Sequence, residues 1–195
     1  MTIRQKFLYR IYPWLMKVSQ WVGRNPILQP GTIHPAPVSV YSLQATAIDG
    51  KIISIGLLAG KKVLIVNTAS DCGYTRQYEE LTALKKLAGD GLEICCFPSN
   101  EFKQQEKESN EAIQQFCQTH FGGGYRLMQK IEVRPGANQH PLYQWLSQPA
   151  QNGWCNQAPE WNFSKYLIDE QGNLLAYAGP NTSPMDPRWR PLIGV

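Results

Sequence analysis

No Asp or Glu precedes Asp49 in this 195-residue chain, while Arg4, Lys6, Arg10, Lys17 and Arg24 all fall in that stretch. Of 19 basic and 15 acidic residues, five and none lie there, which leaves 14 against 15, so the net charge of +4 is local and the remainder is near neutral. A nucleic-acid binder would carry its basic stripe on the folded body, and nucleic acid is therefore excluded as a partner. Long apolar runs are also missing. Arg10 and Pro13 interrupt the first one, which excludes a secretory leader and a spanning helix of about 20 apolar residues. Cysteine is sparse and odd in number, five in all, too few for a disulfide scaffold and suited to a reducing, cytoplasmic setting. Cys117 and His120 stand three apart without a second pair of ligand spacing, so no metal site is expected.

What is present suits one soluble α/β domain, with 43% hydrophobic and 17% charged residues. Ile3, Phe7, Leu8, Ile11, Leu15, Val18 and Val22 recur at helical spacing with the cations largely between them, a basic amphipathic helix with a kink or restart at Pro13. Two readings of it stay open. It lies on an anionic membrane with Trp14 and Trp21 at the headgroups, giving peripheral membrane contact through residues 1–24, or it packs on its own domain. The proline-rich stretch NPILQPGTIHPAPVSV reads as an extended connector, so residues 1–37 form an extension and 38–195 the folded domain. Alternation and apolar runs predict a hairpin from 38–42 and 50–54, buried strands over 62–68 and 92–97, helices over 75–88 and 109–120, and a second hairpin from 166–169 and 174–178. That order implies helices on a mixed sheet.

Cys72 ends the first buried strand, in KVLIVNTASDCGYT, where a following helix would favour a thiolate over a thiol. An ordinary thiol with a pKa of about 8.5 is about 3% ionised at pH 7, and lowering it to about 6 takes roughly 3.4 kcal/mol, within reach of two or three charge-assisted hydrogen bonds. Asp71, the immediate neighbour, acts in the wrong direction. Cys117 shares a helix face with Ile113 and Phe116, which also suits a buried core residue. Cys95 and Cys96, adjacent on a strand, point to opposite faces and serve packing, and Cys155 in NGWCNQ reads as an exposed loop residue.

Three segments taken together sharpen this. NTASDCGYT, FPSNEFKQQEKESN and EWNFSKYLIDEQG resemble, in order and approximate spacing, the signature segments of the glutathione peroxidase family in its cysteine-containing branch, over about Val38 to Pro184. The resemblance implies a thioredoxin-like fold, a central mixed sheet flanked by helices with an N-terminal hairpin. It implies Cys72 as the peroxidatic cysteine, with Gln105, Trp161 and Asn162 as neutral donors around it, and Cys117 in QQFCQTHFG as the resolving cysteine. It also implies no organic cofactor, a hydroperoxide substrate, and thioredoxin rather than glutathione as reductant, within the response to oxidative stress. Departures from the pattern place Asp71 where Lys is common, Lys103 and Gln104 where Gly-Gly is common, and Ser99 where Cys is common.

Rival functions separate on single positions. A thioredoxin-type reductase needs a second cysteine where Thr75 stands, and the peroxiredoxin Pro-x-x-x-Thr-x-x-Cys arrangement is not found around Cys72. A non-enzymatic peroxide sensor or relay, passing its disulfide to a partner, uses the same two cysteines and remains open. The short stretch between Leu142 and Trp161 resembles members without the tetramer-forming insertion, which implies a monomer with an open site for bulky organic or lipid hydroperoxides.

Overall fold

The computed structural model describes the backbone of residues 1–22 and 26–195, and the side chains of 1–18 and 26–195. The Trp21 and Val22 side chains and Arg24, named above for the N-terminal helix, lie outside the described residues.

Two uninterrupted apolar runs make the centre. β4 (Lys62–Thr68) and β5 (Leu92–Pro98) pair in parallel from Lys62 opposite Leu92 to Thr68 opposite Pro98. Their β-branched and aromatic side chains face both ways because both faces of the sheet are covered. On one side of the pair lie β7 (Lys165–Ile168), antiparallel to β4, then β8 (Leu174–Ala178), then the two-residue β1 (Ile27–Leu28). On the other lies β6 (Arg126–Leu127), parallel to β5. The order is β1-β8-β7-β4-β5-β6, a mixed sheet.

α2 (Gln77–Ala88), α3 (Asn110–Phe121) and α6 (Trp189–Ile193) cover one face with Tyr78, Leu81, Ile113, Cys117 and Trp189. The other face receives α4 (Pro141–Ser147), through Leu142, Tyr143, Trp145 and Leu146, with the short α5 (Pro149–Asn152) following it. Cys95 and Cys96 fall on opposite faces, as strand alternation requires. α1 (Ile3–Val22) runs through Pro13 and packs its Tyr12 and Met16 against the α2 side.

Two boundaries and the burial of one residue differ from expectation. The first hairpin is β2 (Gln44–Thr46) with β3 (Ile52–Ser54), while Val40–Ser42 turns as a 3-10 helix. Here Val40 enters the core and the chain folds back on itself, with Leu43 N–H bonded to the Val40 carbonyl, so no partner strand reaches it. α2 starts at Gln77, because the residues before it form turns that hold Cys72. Cys155 is 1% exposed rather than a surface residue. The Asn152 amide explains this by accepting from the Trp154 and Cys155 N–H groups and donating to the Cys155 carbonyl, which folds the loop inward.

Candidate active site

Cys72 sits in a turn between β4 and α2, and the turn is built by Thr75. The Thr75 hydroxyl accepts from the Cys72 N–H at 3.1 Å and lies 2.8 Å from the Cys72 carbonyl and 2.9 Å from that of Ala69. Residue 75, where a reductase would carry its second cysteine, thus orients Cys72 through the backbone. Ser70 is held in turn by Glu106, whose Oε2 accepts from the Ser70 N–H at 2.8 Å and its hydroxyl at 3.0 Å. The Asp71 N–H donates to the Gln105 carbonyl at 3.1 Å, joining the two loops.

The third segment is anchored from the sheet. Asn67, at the end of β4, donates through Nδ2 to the Trp161 carbonyl at 2.9 Å and accepts from the Phe163 N–H at 2.5 Å. Phe163 takes a left-handed φ of 69°, and the fully buried Lys165 donates to its carbonyl at 2.5 Å. Burial pushes the Lys165 ammonium down to about 7. These contacts aim Trp161 and Asn162 back at Cys72. Asn162, fully buried, donates through Nδ2 to Gln105 Oε1 at 3.0 Å, so Cys72, Gln105, Trp161 and Asn162 come together as one cluster.

The electrostatics have a clear winner. Cys72 is 2% exposed, and burial pushes its thiol up to about 11. The Tyr74 N–H, 3.5 Å from Sγ, and the Trp161 and Asn162 side chains each favour the thiolate, while Asp71 opposes it. Burial outweighs the donors because taking a net charge out of solvent costs more than a few neutral dipoles return. Cys72 also does not sit at a helix start, since α2 begins only at Gln77, and burial raises its thiol rather than lowering it. Asp71 acquires a partner that its local sequence does not suggest, since Arg4 from α1 pairs with it at 2.8 Å.

Cys117 lies on the same side of the sheet, 3% exposed, and burial pushes it up to about 12. The Tyr78 and Tyr125 hydroxyls approach and favour its thiolate, but neither forms a well-angled hydrogen bond among the described residues. All five cysteines are free thiols. α3 ends at Gly122, and Gly122, Gly123 and Gly124 all hold positive φ. The Thr82 hydroxyl clasps that end, 3.2 Å from the Phe121 carbonyl and 2.6 Å from that of Gly123. No group of three or more potential metal ligands exists among the described residues.

Glu106, Asn67 and Lys165 belong to the site's framework and were not singled out from sequence. The clue for Lys165 was a charge at the head of an apolar strand. Glu106 had none, because its run Lys103 to Glu108 reads as a solvated loop.

The comparisons agree with this geometry. The profile described as glutathione peroxidase matches residues 40–147. The glutathione peroxidase homolog BsaA of Bacillus subtilis is 37% identical over 150 residues, covering 76% of this chain and 93% of that protein. A hydroperoxy fatty acid reductase of Synechocystis is 39% identical over 153 residues, 75% of this chain and 89% of that one. Among solved structures, the T. cruzi enzyme GPX1 superposes with a TM-score of 0.61 at 32% identity, over 80% of this chain and 97% of its own. The fold is thioredoxin-like. With a buried cysteine just past the end of the central strand β4 and neutral donors reaching it from Trp161 and Asn162, this chain belongs to the glutathione peroxidase family and is a peroxidase that reduces hydroperoxides.

Proposed function

We propose that Cys72 is the peroxidatic centre of a thioredoxin-reduced, two-cysteine peroxidase. The supporting observation is the convergence of the Tyr74 N–H, Trp161 and Asn162 on one sulfur, with Gln105 bonded to Asn162. Cys72 is buried at rest, and burial favours its thiol form. Entry of a hydroperoxide returns a polar partner to Sγ, the proton leaves Cys72, and the thiolate attacks the nearer peroxide oxygen. The O–O bond breaks, the departing oxygen takes a proton as an alcohol or water, and Cys72 becomes a sulfenic acid. Gln105 spends its carbonyl oxygen on Asn162 and keeps its amide N–H groups for the peroxide. Cys117 then attacks the sulfenic sulfur, water leaves, and a Cys72–Cys117 disulfide forms.

Reduction by thioredoxin fits a redox cycle carried by two cysteines within one chain. It also fits a cytoplasmic protein acting in the response to oxidative stress. A Synechocystis relative named for hydroperoxy fatty acids supports organic and lipid hydroperoxides as substrates beside hydrogen peroxide. The protein acts as a monomer without metal or organic cofactor.

One equivalent of hydrogen peroxide followed by non-reducing peptide mass mapping tests the cycle, and a Cys72–Cys117 linkage is the expected product. The Cys117→Ser variant should still consume one equivalent but lose multiple turnovers with thioredoxin and its reductase. Turnover equal to wild type would remove Cys117 from the cycle, and free thiols after peroxide would remove both cysteines. A linkage that thioredoxin does not recycle would instead mark a sensor or relay.

A further inference from the structure

α1 has two working faces. The inner face holds the turn that carries Cys72. Gln5 Nε2 donates to the Ser70 carbonyl at 3.2 Å, Arg4 pairs with Asp71 at 2.8 Å, and the Tyr12 ring stands edge-on to Tyr74 at 6.5 Å. Leu15 Cδ1 lies 3.6 Å from where a β-carbon on Gly73 would sit. Further along the helix, Tyr12 donates to Glu80 at 2.8 Å and Tyr9 donates to Glu79. Residues 70, 71, 73 and 74 are thus all touched by α1, which covers the peroxidatic turn from outside.

The outer face is apolar and bare. Ile3, Phe7, Trp14 and Val18, at intervals of four, seven and four, form one stripe, and Ile3, Phe7 and Trp14 are 90%, 62% and 65% exposed. Lys6, Arg10 and Lys17, all exposed, line one edge of it. No acidic residue occurs on the helix or anywhere before Asp49, so the three cations at this face, Lys6, Arg10 and Lys17, have no acid beside them on α1. α1 is not apolar enough to cross a bilayer, and no helix among the described residues is.

We propose that this outer face docks on an anionic lipid bilayer, with Phe7 and Trp14 entering the interfacial layer and Lys6, Arg10 and Lys17 at the headgroups. A large apolar stripe beside a cationic edge is the pattern of a helix that lies in the interface plane. A second copy of the chain is the poorer occupant, because packing two such faces together sets cations against like cations without an acid on either helix. Since the inner face grips residues 70–74, docking brings the Cys72 turn to the membrane surface. That consequence, which rests on Cys72 being the peroxidatic centre, makes hydroperoxides held in a bilayer the substrates favoured by location.

Full-length protein is sedimented with vesicles of phosphatidylcholine plus phosphatidylserine, and with vesicles of phosphatidylcholine alone. Binding to the anionic vesicles that weakens with added salt is expected. Each cation near such a surface is worth about fivefold, so Lys6→Gln/Arg10→Gln/Lys17→Gln should bind roughly 100-fold more weakly. Phe7→Ser/Trp14→Ser should lose roughly tenfold or more. Both variants change only exposed side chains, so hydrogen peroxide turnover should stay at the wild-type level while turnover of phospholipid hydroperoxide in anionic vesicles falls with binding. Equal pelleting of wild type and both variants, equal pelleting on neutral and anionic vesicles, or a solution dimer abolished by Phe7→Ser/Trp14→Ser would each overturn the proposal. Vesicle binding without any peroxide turnover by wild type would leave docking standing and remove the peroxidase cycle instead.

Discussion

Cys72 and Cys117 are equally hidden and differently prepared. Both lie on the α2–α3 side of the sheet, and burial raises both thiols. Around Cys72 the turn is pinned by Thr75 and Glu106, Asn67 anchors the segment that carries Trp161 and Asn162, and donors reach the sulfur from that segment and from the Tyr74 N–H of the turn itself. Around Cys117 there are aromatic rings and two tyrosine hydroxyls without well-formed bonds. The backbone strain is distributed in the same uneven way. Lys103 and Gln104, beside the Cys72 cluster, hold left-handed φ of 51° and 52°, whereas the left-handed exit from α3 is entirely glycine. One cysteine sits in a polar site held by bonds between distant segments, and the other in an aromatic core on a helix that ends in a run of three glycines.

The largest effect should come from stripping a donor from one side only. Hydrogen bonds to a charged group are worth about 1.5–3 kcal/mol, so Asn162→Ala should slow the first oxidation of Cys72 by about 10- to 150-fold, measured by stopped-flow under single turnover. Tyr125→Phe should leave that step unchanged and alter only formation of the disulfide. If both variants slowed the first step alike, the contrast between a prepared and an unprepared cysteine would collapse.

Much of this contrast lay in the residue pattern, and for physical reasons. β4, β5, α2, α3 and the β7–β8 hairpin were legible to within about two residues, because unbroken Val, Ile and Leu runs and 3.6-residue spacing have few other ways to be buried. The three donor-bearing segments were legible only as motifs, since Gln105 and Asn162 in isolation read as loop residues. What escaped was set by contacts between distant segments. Cys155 is drawn inward by Asn152, Asp71 is matched by Arg4 across 67 positions, and Glu106 is buried out of the run KQQEKE by its bonds to Ser70. The burial of Cys72 escaped for the same reason, because the cover provided by α1 has no local signature.

Glu106 is the group that both regions share, since it holds Ser70 before Cys72 and its charge opposes a thiolate at Cys117. Burial pushes its carboxyl up to about 7 from 4.5. Between those values the folded protein keeps a proton that the unfolded chain has released, so its contribution to stability falls as pH rises from about 4.5 to about 7 and is flat above. Glu106→Gln keeps an oxygen for Ser70 without the charge. It should stabilise the fold by about 3 kcal/mol at pH 8 and by little at pH 4.5, read from urea midpoints. An equal gain at both pH values would mean that packing, not titration, separates the variants.

The smallest effect tests the strain beside Cys72. A left-handed conformation costs a non-glycine residue roughly 1–2 kcal/mol, partly offset by the greater freedom glycine regains on unfolding, about 0.5–1 kcal/mol. Gln104→Gly at this exposed position should therefore gain about 0.5–1 kcal/mol in thermal or urea unfolding. Lys103→Gly relieves the same strain but removes an ammonium that sits 5.6 Å from the Trp161 ring centroid. A cation over an indole at a partly open site is worth about 0.5–1 kcal/mol, so this variant should be close to neutral. The difference between the two substitutions isolates the Lys103–Trp161 contact, because the backbone term is common to both. If Lys103→Gly stabilises as much as Gln104→Gly, the lysine does nothing for the indole, and the strain at 103 has no compensation on the Cys72 side.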